Sequence, residues 1–345
     1  MKTLFQNILT NFTHNPMLKS FFCTRRWLMW AWGGLFLLLS SLWGQVSLTV
    51  MINEWYGGFY DLLQNSPSYY KEPQVGIDLF YSKLMDFGML AMPYVIIATI
   101  TNWFTRVYSL KWREAITFDY LPRWRKVKVD IEGASQRIQE DTHHFAQIIE
   151  NLGLKVVKSI MTLIAFIPVL WQLSAKTDIP FMGMQEGSLV WFALCVSIGG
   201  LILTWFVGAK LPGLEYNNQR VEAAFRKELV FGEDDKESYS QPTTILELFT
   251  GIKFNYQRLF NHYGYVDVWI NSYDQFMVIV PYLLVGPGLF TKLITLGIVV
   301  QVSNAFQKVH EGFGVFLYQF TQITELRSIY KRLQEFEDNL RRYKG

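Results

Sequence analysis

Long apolar runs alternate along this chain with segments in which charged and polar residues return. A bilayer core is about 30 Å thick, so a spanning helix needs roughly 20 mostly apolar residues. Five stretches meet that length, near residues 27–50, 87–105, 154–173, 189–209 and 268–290. A sixth, near 293–320, is interrupted by polar side chains. The fourth carries no charge until Lys210. Buried helices of a large soluble protein would rarely repeat this length five times. The pattern therefore predicts an all-α polytopic membrane protein with six transmembrane helices.

The segments between the runs differ in charge. Cytoplasmic loops of membrane proteins are enriched in Lys and Arg. With the N-terminus placed inside, the inward segments hold 25 basic residues and the outward ones hold Lys71, Lys83, Lys176 and Lys292 alone. This asymmetry predicts both termini in the cytoplasm and an even number of spans, which requires the interrupted sixth. The inward loops, 106–153 and 210–267, are rich in helix formers. At about 1.5 Å per residue each arm could reach about 30 Å beyond the bilayer, so long cytoplasmic extensions of the helices are expected. The outward loop 53–86 holds the aromatic cluster Trp55, Tyr56, Phe59 and Tyr60, a composition suited to the membrane–water interface. The expected organisation is a cytoplasmic segment over 1–26, a transmembrane domain over 27–328 and a cytoplasmic tail over 329–345.

Polar residues inside spans are costly and usually face a cavity or another helix. In the sixth run Gln301, Asn304, Lys308 and Glu311 recur at three- and four-residue spacing and share one face. Ser303, Gln307 and His310 border it. The stripe carries charges as well as amides, which favours a water-filled path over a helix contact. The competing reading is a self-satisfied Lys308–Glu311 pair at i,i+3. Asp274, inside the fifth run beside Gln275 and near Asn271, suits a proton relay or a helix–helix hydrogen bond equally. Glu150 precedes the third run by about one turn. Its helical neighbours Ala146, Gln147, Gly153 and Leu154 offer no cation, and partly desolvated carboxylates of this kind can exchange protons near neutral pH. Glu215 and Glu222 are seven apart on one face, although Arg226 at i+4 could pair with Glu222 on the surface. Glu233, Asp234 and Asp235 form an acidic cluster whose simplest reading is a solvated loop.

Composition narrows the function classes. Only 18% of the 345 residues are charged, against about 25% in ordinary soluble domains. A net charge of +3 does not suggest a nucleic-acid partner. Cys23 and Cys195 are too far apart in sequence to suggest a metal site or a disulfide framework. His143 and His144 stand beside Asp141, but adjacent helical histidines point in different directions. No GxxxxGK[ST] phosphate loop occurs, and about 25 residues after the sixth run are too few for a nucleotide-binding domain. No run in the first 26 residues is long enough for a cleavable signal. No cofactor, metal or catalytic role is expected, and the chain is not expected to be an enzyme.

Several blocks carry a resemblance. They are NEWYGGFYDLLQ at 53–64, IEGASQRIQEDT at 131–142, ENLG at 150–153, IMTLIAFIPVL at 160–170, KLPGLEYNNQRVEAAFRKELVFGEDD at 210–235 and SIYKRL at 328–333. Together they resemble the SbmA/BacA peptide-uptake transporters of bacterial inner membranes, over about residues 27–340. The resemblance implies an ABC-exporter-like transmembrane fold, a homodimer without its own ATPase, and import coupled to the proton gradient. It implies proline-rich and other antimicrobial peptides, microcin-type peptides and bleomycin-like compounds as substrates. Matching the family's functional glutamates motif by motif implies roles for Glu140, Glu150, Glu215, Glu222, Glu228 and Glu233. The better-known members carry additional helices before the first shared span, whereas 26 residues precede it here, so six helices per protomer are expected. The rival expectation is the membrane subunit of an ABC transporter with a separately encoded ATPase. A non-transporting scaffold would leave the polar face of the sixth run dispensable.

Overall fold

The computed structural model describes residues 16–129, 131, 133–177, 185–235 and 237–343. Residues 1–15 of the expected N-terminal segment, and the basic residues Lys236 and Lys344, lie outside the described residues. Among the described residues the secondary structure is entirely helical. The chain runs through α1 (Pro16–Phe22), α2 (Met29–Gln64), α3 (Pro73–Trp124), α4 (Ala134–Ser174), α5 (Ser188–Asp234), α6 (Pro242–Phe290), α7 (Leu296–Tyr318) and α8 (Phe320–Arg342). It divides into one compact unit, Met1–Val190 with Val285–Gly345, and a second, Trp191–Leu284.

Five helices, α2 to α6, are long and apolar enough to cross a membrane. Their large side chains are widely exposed, among them Phe36, Met92, Trp103, Ile164, Trp205 and Phe206. That suits lipid and would be unfavourable in water. The expected extensions take the form of continuous helices, 52 residues in α3 and 49 in α6. The α3–α4 connection turns at Gly133, whose positive φ of 69° favours a residue without Cβ. Pro242 opens α6, where its missing N–H costs nothing.

The sixth predicted run is not among the helices apolar enough to span by themselves. In the structure α7 has one buried stripe, Val299, Val302, Ala305, Phe306 and Val309, and packs against α2 and α4. A helix covered on one side by protein needs no apolar surface all round, which explains the interruptions. Its start is fixed from α2. The Gly297 amide donates to Asp61 Oδ1 at 2.8 Å and the Leu296 amide to Gln64 Oε1 at 2.7 Å. These satisfy N-terminal donors that have no partner within a helix.

The aromatic cluster of 53–86 binds the α2–α3 hairpin together. Trp55 stacks on Phe59 with centroids 4.7 Å apart, lies 4.8 Å from Phe87, and donates to the Lys83 carbonyl at 2.7 Å. At the other end of the first unit, α1, α8 and parts of α2 to α4 share one apolar core. Phe21 stacks on Trp112, and Trp112 Nε1 donates to the Met17 carbonyl at 3.2 Å. Ile329, Leu333, Phe336 and Leu340 project from one face of α8 into this core. The segments expected as a leading segment and a tail thus both supply core side chains.

In the second unit α5 and α6 pair through polar anchors. Trp269 Nε1 donates to Thr204 Oγ1 at 2.9 Å and the Tyr273 hydroxyl donates to the Val196 carbonyl at 2.9 Å. Gly200 makes room for the Tyr273 ring, since a Cβ there would overlap it.

Candidate functional site

The polar face of α7 opens on a cavity of about 280 Å³ inside the first unit. Val46 and Thr49 of α2, Tyr94 of α3, Lys155, Lys158, Ser159 and Thr162 of α4, and Lys308, Glu311, Gly312 and Val315 of α7 line it. Val46 and Thr49 stand near the middle of the 31-residue regular part of α2, so the cavity lies about midway along that helix. Gly312 makes it possible: the Ser159 hydroxyl donates to its carbonyl, and a Cβ there would strike Leu163.

Three lysines and one glutamate face this space. Lys308 Nζ bonds to Glu311 Oε2 at 2.7 Å, the i,i+3 pair foreseen as the competing reading of the stripe. Both partners of the pair also line the cavity. Lys158 Nζ donates to Gln45 Oε1 at 3.0 Å and lies 5.8 Å from the Tyr94 ring centre. Lys155 Nζ reaches Gln319 Oε1 at 3.4 Å. Neither Lys155 nor Lys158 meets a carboxylate among the described residues. Gln301 and Asn304, the upper members of the stripe, are half-buried. Gln301 approaches the Glu54 carbonyl at 3.4 Å and fills the space that Gly57 leaves open.

Sequence reasoning missed Lys155 and Lys158, although a signal was present. Of the 32 basic residues, the charge tally over loops accounts for 29. The three left over are Lys155, Lys158 and Lys308, and all three line the cavity.

The six glutamates divide between the units. Glu140 and Glu150 belong to the first, and Glu215, Glu222, Glu228 and Glu233 to the second. Glu140 and Glu150 each fall in a single-turn π widening of α4, Arg137–Asp141 and Ile149–Gly153, a distortion frequent at functional sites. Glu140 is half-exposed, accepts from Gln136 Nε2 at 3.1 Å and has His144 Nε2 at 4.0 Å. Glu150 is half-buried beside Ser109, with Arg106 in its field. No cation adjoins it along α4, but α3 brings one across.

In the second unit Glu215 and Glu222 are half-buried on the α5 face that also holds buried Asn218. Tyr263 of α6 lies in the field of both Glu215 and Asp267. Glu222 forms no ion pair with Arg226 among the described residues. Glu228 has a local structural partner: its Oε1 accepts from the Ser240 amide at 2.9 Å, and the Ser240 hydroxyl donates to its carbonyl at 3.0 Å. Glu233 is exposed. Glu233 and Asp234 are the last helical residues of α5 and not the loop expected from the sequence; just beyond them Asp235 Oδ1 accepts from the Glu237 and Ser238 amides at 3.0 and 3.1 Å. Ser238, through hydroxyl and amide, and the Glu237 amide hold the Asp235 carboxyl below the usual carboxylate range. Asp274 is half-buried in α6 and engaged with a neighbour.

The motif-bearing segments also hold the first unit together. Asp141, within 131–142, accepts from Arg137 Nη1 at 2.8 Å and from Arg332 Nε and Nη2 at 3.1 and 2.6 Å. Arg332 lies within 328–333, so two of the quoted blocks meet in one bidentate ion pair. Its bond to Asp141 raises Arg332 and keeps the guanidinium charged. The sequence profile of the SbmA/BacA-like family matches residues 24–341. The chain belongs to the SbmA/BacA-like family.

Curated relatives of this SbmA/BacA-like chain are similar over most of its length. The inner membrane ABC transporter ATP-binding protein YddA of Escherichia coli is 26% identical over 321 residues, covering 87% of this chain and 56% of that protein. An uncharacterized ABC transporter ATP-binding protein of Synechocystis is 24% identical over 92% of this chain and 47% of its own length. The chloroplastic ABC transporter D family member 2 of Arabidopsis thaliana is 25% identical over 82% and 39% respectively. The chain spans about half the length of these relatives, or less. No group of three or more His, Cys, Asp or Glu side chains among the described residues could hold a metal ion.

Proposed function

We propose that this SbmA/BacA-like chain forms a homodimeric importer that carries peptides across the bacterial inner membrane on the proton gradient. Proline-rich and other antimicrobial peptides and microcin- or bleomycin-like compounds are the substrates. Both termini lie in the cytoplasm, and α7 is the sixth span. The observation that supports this most is the cavity itself. Charged residues of two transmembrane runs, α4 and α7, face one shared cavity, and charged intramembrane residues are costly unless they serve a path or a partner.

Protonation of carboxylates biases the alternation between outward- and inward-open states, since a proton shifts only states that differ in affinity for it. Glu150, in a distorted turn beside Ser109 and Arg106, has the half-buried setting such exchange needs. Glu140, Glu215, Glu222, Glu228, Glu233 and Asp274 complete the carboxylates along the path. An acidic approach also concentrates cationic peptides.

The test is uptake of a labelled proline-rich peptide into proteoliposomes under an imposed pH gradient without ATP. Uptake should collapse with an uncoupler and in the Glu150→Gln, Glu222→Gln, Glu233→Gln triple variant. Uptake indifferent to the uncoupler removes proton coupling. The names of the relatives favour one second reading, a membrane subunit served by an ATPase. Co-purification of an ATPase, or uptake that requires ATP and is stopped by vanadate, would favour it.

A further inference from the structure

Lys155 and Lys158 are one turn apart on α4 and present their ammonium groups to the same cavity. Each has three N–H donors, yet the hydrogen-bond partner of each among the described residues is a single amide oxygen, Gln319 Oε1 at 3.4 Å and Gln45 Oε1 at 3.0 Å. Lys308 is matched by Glu311. The cavity therefore carries a formal excess of two positive charges among the described residues. The hydroxyls beside the lysines are committed as donors to main-chain carbonyls: Ser159 to Gly312, Thr162 to Lys158 and Thr49 to Gln45. The two ammonium groups keep N–H donors to spare. The ligand chemistry this fits is a compact anion.

Two features narrow the anion. Val46, Tyr94 and Val315 give the cavity an apolar wall next to the lysines, so the anion should carry a side chain. The volume of about 280 Å³ falls just below the roughly 300–1,000 Å³ of pockets that enclose a drug-sized molecule. It has room for the end of a chain and not for a whole peptide. We propose that Lys155 and Lys158 bind the C-terminal carboxylate of the transported peptide, with its last side chain against Val46, Tyr94 and Val315. This rests on the peptide-importer reading and assigns to that path a site of opposite charge to its carboxylates. The carboxylate forms charge-assisted hydrogen bonds to both lysines, and no bond is made or broken.

The experiment compares two forms of one labelled proline-rich dodecapeptide, the free acid and the C-terminal amide, on the full chain in nanodiscs. Fluorescence anisotropy reads binding, and the same pair is offered to proteoliposomes. The acid should bind about tenfold more tightly, the scale of one hydrogen bond to a charged group. The Lys155→Gln, Lys158→Gln variant should lose that preference and bind acid and amide alike. The Lys155→Arg, Lys158→Arg variant should keep it, which separates loss of charge from loss of fold. Acid and amide bound and moved equally by the unaltered chain would overturn the carboxylate site and leave the importer standing. A preference that persists in the glutamine variant would place the site elsewhere and overturn the assignment. Displacement of the labelled acid by oleate but not by unlabelled peptide acid would reassign the lysines to a lipid carboxylate. Absence of uptake for either form under a pH gradient would overturn the importer reading, and this inference with it.

Discussion

Replacing Asp141 with Asn tests how α8 is held to α4. The residue is 1% exposed, and its carboxylate accepts three hydrogen bonds from two arginines. Asparagine keeps the shape but carries no charge. Its single oxygen can serve one guanidinium, and its amide N–H groups then face the other. Breaking a buried ion pair costs roughly 3–5 kcal/mol. The Arg137 and Arg332 side chains are 25% and 36% exposed, so water replaces part of what they lose. About 3 kcal/mol is the resulting expectation, at the lower edge of that range. Local opening of α8 would then be populated on the order of 100-fold more. Native-state trypsin cleavage at Arg327 reads this, because proteolysis tracks the open population when reclosing is fast. Arg332→Gln should cost a similar amount, and the double variant should cost less than the sum by about 1–3 kcal/mol. Cleavage of Asp141→Asn within about twofold of the unaltered chain, or strict additivity in the cycle, would refute the reasoning, since about 0.4 kcal/mol corresponds to twofold.

Other consequences follow from the packing. Leu333→Ala removes a fully buried side chain from the core shared by α1, α3, α4 and α8; a loss of roughly 2–5 kcal/mol is expected in denaturant unfolding followed by tryptophan fluorescence. Gly297→Ala puts a methyl group against the Gly57 carbonyl and the Asp61 carboxylate, so the start of α7 must shift. Thermal unfolding should register roughly 1–3 kcal/mol of overpacking, and an unchanged midpoint would contradict the close α2–α7 approach. Changing Lys308 and Glu311 together to Leu removes a matched charge pair from the cavity. Peptide uptake should fall at least about tenfold, the effect of roughly 1.4 kcal/mol, while the protein still elutes as the unaltered chain; retained uptake would remove these residues from the path.

Membrane character, five of the helices and the family were all legible in the linear order of residues. Length and apolarity along a helix are local properties, and lipid selects for them directly. The blocks that carry the family resemblance were legible for the same reason. What the sequence could not decide lies wherever burial comes from partners far along the chain. Lys158 meets Gln45 across 113 residues and Arg332 meets Asp141 across 191. Arg106 of another helix lies in the field of Glu150, so the neighbours of that carboxylate along its own helix described only part of its surroundings. The polar interruptions of α7 looked like weakness in a span until α2 and α4 covered its apolar stripe. Lys155 and Lys158 lay unremarked within the third run until Gly312 let α7 approach α4 and set a shared cavity before them. Helical periodicity places a side chain on a face, but only the packing of several helices determines whether that face meets lipid, protein or a cavity.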